Sequence, residues 1–243
     1  MAEVPAHDAW LTEVEAARLN GLRYPKRRDE ARLGRWTAKR AVAAALGRDD
    51  AGGRDHAVLR ELVIRNASDG APEVFVGDEQ APVRISMTDR ADWAVCTVID
   101  DEVDIGCDLE IVEPRSHGFV RDWFTSVEHE MVASCPDHHD LLANLIWSAK
   151  ESALKVLRTG LRRDTRSVEV RLDGWPATAQ PGRWDALSVV DVEGARFAGW
   201  WHRFGDFVLT YASASPTPQP EPLVEPSPLH AAQPSHRWME APD

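Results

Sequence analysis

Residues 103–111 read VDIGCDLEI and residues 147–155 read WSAKESALK. In the first stretch side chains alternate along an extended strand. Ile105, Cys107, Leu109 and Ile111 face one way; Gly106, Asp108, Glu110 and Val112 face the other. Asp108 and Glu110 therefore share a face, roughly 6.5–7 Å apart. Like charges so placed repel unless water or a cation screens them, and taken alone the strand reads as a solvated face. The second stretch predicts a helix over about 138–158. Leu142, Ile146, Ala149, Ala153 and Val156 form its apolar stripe, Trp147, Glu151 and Lys155 run beside it, and Lys150 lies one residue around. Taken alone, Glu151 and Lys155 are an exposed i, i+4 pair. Taken together, Asp108, Glu110 and Glu151 offer three hard oxygen ligands on two rigid elements. That set suits Mg2+, which shares its shell with substrate phosphates. Lys150 and Lys155 would face those phosphates, completing a parts list for transfer of a phosphate-bearing group.

Outward from these two stretches the chain alternates between helical and extended patterns. Helical spacing over 29–46 (Leu33, Trp36, Thr37, Arg40, Ala41, Ala44) ends at Gly47, a natural stop. Strand patterns follow at 61–65, 73–77, 83–86, 93–98 and 103–111, separated by turn residues. Thr125 and Glu128 have the spacing of a capping box at the head of a helix over 125–134. The long helix ends before Gly160, and strands return at 167–172, 187–192, 197–203 and 207–213. Helix-then-strands thus occurs twice, without an evident residue-level repeat. The expected architecture is α+β, two pseudo-symmetric halves with the active site at their interface. The expected divisions are 1–102, 103–213 and a tail over 214–243. That tail holds eight of the sixteen prolines and reads as disordered or polyproline II, with Trp238 a residue that could dock.

The 243-residue chain carries a net charge of −12, which argues against nucleic acid as a partner. Its charge is uneven. Residues 23–40 are strongly basic, with Lys26, Arg27, Arg28 and Arg40 among them, whereas 100–113 are acidic. No apolar run reaches the ~20 residues of a membrane span, and the first residues lack the pattern of a signal peptide. Three cysteines without metal-site spacing read as reduced thiols of a cytoplasmic protein.

At IGCDLE and WSAKESALK, and in the spacing between them, the sequence resembles the surfactin-type 4′-phosphopantetheinyl transferases. GAP (70–72), ISMTDRADWAVC (85–96) and the basic segment extend the likeness over roughly 11–213. The resemblance implies that Asp108, Glu110 and Glu151 bind Mg2+ with the pyrophosphate of coenzyme A. Glu151 would take the proton from a serine hydroxyl of an acyl or peptidyl carrier protein, and 3′,5′-ADP would leave. Asp108, Glu151 and Lys155 would be catalytic, with Lys155 and Lys150 neutralising the pyrophosphate. Gly70, Ala71 and Pro72 would line the adenine pocket, with Lys26, Arg28, Arg40, Thr88 and Asp89 on the rest of the coenzyme. The nucleophile belongs to the substrate, so no Ser-His-Asp set is needed. One departure stands out: the family has Ser-His, the His touching the 3′-phosphate, where this chain has Thr88-Asp89. Thr88 can still donate, whereas the charge of Asp89 would repel a phosphate. Two hypotheses follow, weakened 3′-phosphate selectivity or a repurposed fold with different chemistry on a carrier-bound thioester or none. A Mg2+-dependent phosphodiesterase is a further alternative. Phe119, Trp123 and Phe124 are candidates for carrier docking, with Arg158, Arg162 and Arg163 beside them. Both halves on one chain imply a monomer.

Overall fold

The same buried device, a lysine paired with a capping-box glutamate, occurs twice in the chain. Helix α1 (Glu13–Asn20) begins with a capping box in which Thr12 and Glu15 satisfy each other's backbone N–H groups. Glu15 also accepts from Lys39 Nζ at 2.6 Å and from the Ile64 N–H at 3.2 Å. Lys39 is fully buried in helix α2 (Pro25–Ala45) and donates as well to the Trp10 and Leu59 carbonyls. The basic segment is therefore not a uniformly solvated face. The buried side of α2 is Trp36, Lys39, Val42 and Ala43, turned from the stripe the spacing predicts because Lys39 has this internal partner. Gly47, at φ +64°, ends the helix as expected.

The second copy is built from helix α5 (Ser126–Ala133; α3 spans His56–Glu61 and α4 His117–Trp123) and helix α6 (His139–Val156). Thr125 and Glu128 form the expected capping box. Glu128 accepts from Lys150 at 2.7 Å and from the Val170 N–H at 2.7 Å. Lys150 donates also to the carbonyls of Thr165 (3.0 Å) and Val168 (2.5 Å). Trp36-Thr37-Ala38-Lys39 in α2 thus answers Trp147-Ser148-Ala149-Lys150 in α6. This is a residue-level repeat that the sequence reading did not see.

The strands that follow the two helix pairs are arranged differently. Strands β1 (Leu62–Asn66), β2 (Pro72–Val76) and β3 (Glu79–Gln80) form an antiparallel three-stranded sheet. β4 (Val83–Arg90) and β5 (Trp93–Asp100) form a hairpin. Its two-residue turn, Ala91-Asp92, has φ of +47° and +65°, the hand that matches strand twist. β4 thus runs four residues beyond the predicted strand, carrying Thr88 and Asp89 in extended backbone. The second half is one five-stranded antiparallel sheet in the order β6 (Ile105–Ile111), β10 (Phe207–Ser213), β9 (Arg196–Phe204), β8 (Asp185–Asp191), β7 (Val168–Arg171). The chain is described here from a computed structural model over residues 4–48, 56–172, 175, 183–223 and 227–237.

β6 is an edge strand, and β4 closes it through side chains. Ser86 Oγ accepts from the Cys107 N–H at 2.9 Å, and Thr88 Oγ1 from the Leu109 N–H at 3.2 Å. Two hydroxyls two residues apart on one strand match alternate N–H groups of its neighbour. The tail expectation is corrected where it can be seen. Leu229 and Ala232 are buried beside Phe204 and Phe207. Trp93 Nε1 donates to the Gln233 carbonyl at 2.9 Å. Apolar side chains filling that gap give residues 227–237 a place despite the prolines. Trp238 lies outside the described residues. Among the described residues no helix is long and apolar enough to cross a membrane, and the three cysteines are free thiols.

Candidate functional site

The acidic face of β6 lies on α6, not in water: Asp108 is 7% and Glu110 8% exposed. Gly106 makes the approach possible. A Cβ there would sit 2.0 Å from the Ser152 carbonyl oxygen and 2.9 Å from Lys155 Cβ. Small polar residues complete the contact. Ser148 Oγ donates to the Asp108 carbonyl at 2.9 Å, and the hydroxyls of Ser148 and Ser152 lie 2.8 and 2.7 Å from Thr210 Oγ1. Gly106→Ala is expected to push β6 off α6. Overpacking of this kind costs about 1–3 kcal/mol, and a urea melt should show it together with loss of activity.

Lys155 Nζ donates to Asp108 Oδ1 at 2.9 Å and to the Cys107 carbonyl at 2.7 Å. Burial works against its charge, but Asp108, Cys107 and Glu151 together outweigh it and hold the ammonium above its ordinary pKa. Thr88 Oγ1 donates to the same Asp108 oxygen at 3.2 Å. Asp108 Oδ2 and Glu151 Oε1 are buried without a hydrogen-bond partner among the described residues. Burial, then the nearby Asp108, pushes the Glu151 carboxyl up to about 7, with Lys155 opposing. Burial and Asp108 likewise push Glu110 to about 7, against Arg90 and Arg115. Orphaned acceptors and carboxyls that resist ionising together fit the chemistry of a divalent-cation site at Asp108 and Glu151.

The three-carboxylate set expected from sequence is not assembled. Among the described residues no group of three His, Cys, Asp or Glu side chains is placed to hold a metal ion. Glu110 is engaged elsewhere: Oε1 accepts from Trp147 Nε1 at 3.0 Å, Oε2 from Arg115 at 3.2 Å, and Arg90 lies 3.3 Å away. Two further expectations are corrected. Lys150 cannot face a phosphate, because it is fully buried and its three donors are taken by Glu128, Thr165 and Val168. Thr88 has given its one hydroxyl proton to Asp108, so it positions that carboxylate and does not face a ligand. Asp89 stays open to solvent. Partial desolvation by the atoms packed around it still raises its carboxyl, Glu30 adds to the rise, and Lys155 and Arg27 oppose it.

A cavity of about 650 Å³ opens between the turn before β2, strand β4 and the C-terminal end of α6. Gly70, Ala71, Pro72 and Lys155 line it. Gly70, at φ +97°, lets the turn close, and Asp69 Oδ1 accepts from the Ala71 N–H at 2.9 Å. Lys26, Arg28 and Arg40 are not in its lining. Lys26 pairs with Glu30 at 4.0 Å, Arg28 donates to the Leu22 carbonyl at 2.9 Å, and Arg40 lies over the Trp36 ring. Of the docking candidates, Phe124 is core, whereas Trp123 is 41% exposed and packs edge-on against Trp147, which also meets Phe119. Arg163 pairs with Asp191 and Glu193.

Sequence reasoning missed Trp147 as the donor to Glu110, Arg90 and Arg115 as its cations, and Arg158 and Arg162 as cavity residues. Only the repeat of Trp and Lys at matching helical positions could have marked Lys150 as internal.

No curated protein matches the chain. A family model described as the 4′-phosphopantetheinyl transferase superfamily matches residues 104–212, from the head of β6 to the end of β10. That segment contains Asp108, Glu110, Glu151 and Lys155. Over residues 104–212, a little under half of its length, the chain is similar to the 4′-phosphopantetheinyl transferase superfamily.

Proposed function

We propose that this protein transfers the 4′-phosphopantetheine of coenzyme A to a serine of an acyl or peptidyl carrier protein, with Mg2+, releasing 3′,5′-ADP. The observation that carries the proposal is the pair of buried, unpartnered oxygens, Asp108 Oδ2 and Glu151 Oε1, beside Lys155, which is also part of the cavity wall. Asp108 and Glu151 would hold the cation, and Glu110, committed to Arg115 and Trp147, would stand beside it. When bound, the cation neutralises charge on the pyrophosphate. Glu151 accepts the proton of the incoming serine hydroxyl. Lys155 holds Asp108 in place and balances charge at the cavity end of the site. Gly70, Ala71 and Pro72 receive the nucleoside. Residues 1–102 supply that wall and residues 103–213 the acids. One chain therefore completes the site as a monomer, and the setting is cytoplasmic.

The test is incubation with an apo carrier protein, coenzyme A and Mg2+, followed by intact mass spectrometry of the carrier. A phosphopantetheine mass gain that disappears with Asp108→Ala is the expected result. Asp89 favours one other reading, since it adds a carboxylate next to Glu30. The fold would then bind carrier proteins and perform other chemistry, or none. Coenzyme A binding without any mass gain would select that reading.

A further inference from the structure

Strand β4 lies against β6 without joining its sheet. The β4–β5 hairpin is one sheet, and β6 belongs to the five-stranded one. Side chains at alternate positions of β4 hold the seam between them. Ser86 and Thr88 take the Cys107 and Leu109 N–H groups, and Thr88 also donates to Asp108. Arg90 pairs with Glu110 at 3.3 Å and with Glu113 at 3.4 Å. Each such bond is modest by itself, so the seam depends on what fixes the hairpin at its ends.

At one end of β4, Val83, Ile85 and Met87 belong to the cavity wall. At the other, the Ala91-Asp92 turn meets residues 227–237, which lie beyond 212, where the family match ends. The Ser235 N–H donates to the Ala91 carbonyl at 3.4 Å, and Trp93 Nε1 donates to the Gln233 carbonyl at 2.9 Å. The same segment is fastened to the five-stranded sheet. Arg237 pairs with Asp206 in the β9–β10 turn and reaches the Val112 carbonyl, just after β6, at 3.5 Å. Leu229 and Ala232 are buried in the cluster that holds Ala91 of the hairpin together with Leu109, Ile111 and Phe207 of the sheet. The His230 ring packs edge-on against Phe204, centroids 5.0 Å apart. Ordering this segment costs conformational entropy, which the buried side chains and hydrogen bonds offset. It grips both sides of the seam on the face of β6 opposite Asp108 and Glu110.

We propose that residues 227–237 are a strap that positions the acids. By clamping the β4–β5 turn to the sheet, the strap keeps Thr88 on Asp108 and Arg90 on Glu110. It touches no ligand and acts through β4. Its consequence for catalysis rests on the transferase reading above, whereas its effect on the seam does not.

Hydrogen exchange and carrier loading, both on the full chain, test the strap. Leu229→Asp puts a charge into the apolar cluster and should release it, whereas Leu229→Met should retain it. In Leu229→Asp the Cys107 and Leu109 amides should exchange about tenfold or more faster than in the wild type, the effect expected from one lost buried leucine. Amides of β7 and β8, at the far edge of the sheet, should stay within about twofold. The kcat for carrier loading should fall about tenfold or more, as misplaced catalytic groups do. Affinity for 3′,5′-ADP, read by calorimetry, should stay within about twofold, because the strap does not grip the cavity end of β4. Trp93→Phe keeps a ring and removes the donor to Gln233, so it should move the same readouts by a smaller factor. Circular dichroism checks that both variants fold. Unchanged exchange at Cys107 and Leu109 in both overturns the strap. Exchange that quickens equally in β7 and β8 also overturns it, since the segment then serves overall stability alone. Faster exchange at the seam with full kcat overturns the positioning role. A wild-type protein that loads no carrier fails the transferase reading, and the exchange comparison then decides the strap by itself.

Discussion

Glu151→Gln should slow carrier loading by about two to four orders of magnitude, the range associated with losing a positioned general base. The amide keeps the shape of the side chain and an acceptor oxygen. It cannot take a proton from serine, and it contributes no charge to a cation. Folding should not suffer. Burial and Asp108 both disfavour the ionised Glu151 carboxyl, so removing its charge relieves strain in the resting protein. The melting temperature of Glu151→Gln should equal or exceed that of the wild type, as expected where reactivity and stability compete for one position. Single-turnover mass spectrometry and a thermal melt on the same preparation give both numbers. A rate within about threefold of wild type would remove Glu151 from the mechanism.

Lys150→Met should do the opposite, lowering stability sharply. Lys150 and Glu128 are both fully buried and lie 2.7 Å apart. Glu128 in turn anchors the Thr125 N–H at 2.8 Å and the Val170 N–H at 2.7 Å. Removing one member of a buried pair leaves an uncompensated charge, at about 3–5 kcal/mol. For a chain of this size that is a drop of roughly 10 °C or more in melting temperature. Glu128→Gln/Lys150→Met should be less unstable than the two single losses add up to, because no buried charge is then left alone. Unchanged stability with weaker coenzyme A binding would restore Lys150 to the phosphate-facing role.

The two outcomes show what the sequence could and could not disclose. Period-two alternation put Asp108 and Glu110 on one face of β6, and helical spacing put Leu142, Ile146, Ala149 and Ala153 in the core, where all are buried. Those are local rules. What lay between the elements was not local. Gly106 looked like part of a motif, and only the 2.0 Å that would separate an added Cβ from the Ser152 carbonyl oxygen shows its steric purpose. Lys150 and Glu151 are adjacent in the chain, yet one points into the core and the other toward Asp108. A helix turns about 100° per residue, and nothing in composition says which side faces water. The basic look of residues 23–40 concealed Lys39, whose partner Glu15 is in another helix. Prolines suggested an undocked tail, but the gap beside Phe204 and Phe207 is a property of the assembled sheet.

The matched Trp-Thr-Ala-Lys and Trp-Ser-Ala-Lys helices have one more consequence. Arg40 and Ala44 stand in the first helix where Glu151 and Lys155 stand in the second. Scaffold and reactivity are thus carried by different side chains of one motif, and the inward lysine secures the rod whichever group follows it. The same frame can therefore carry different side chains at those two positions without being rebuilt.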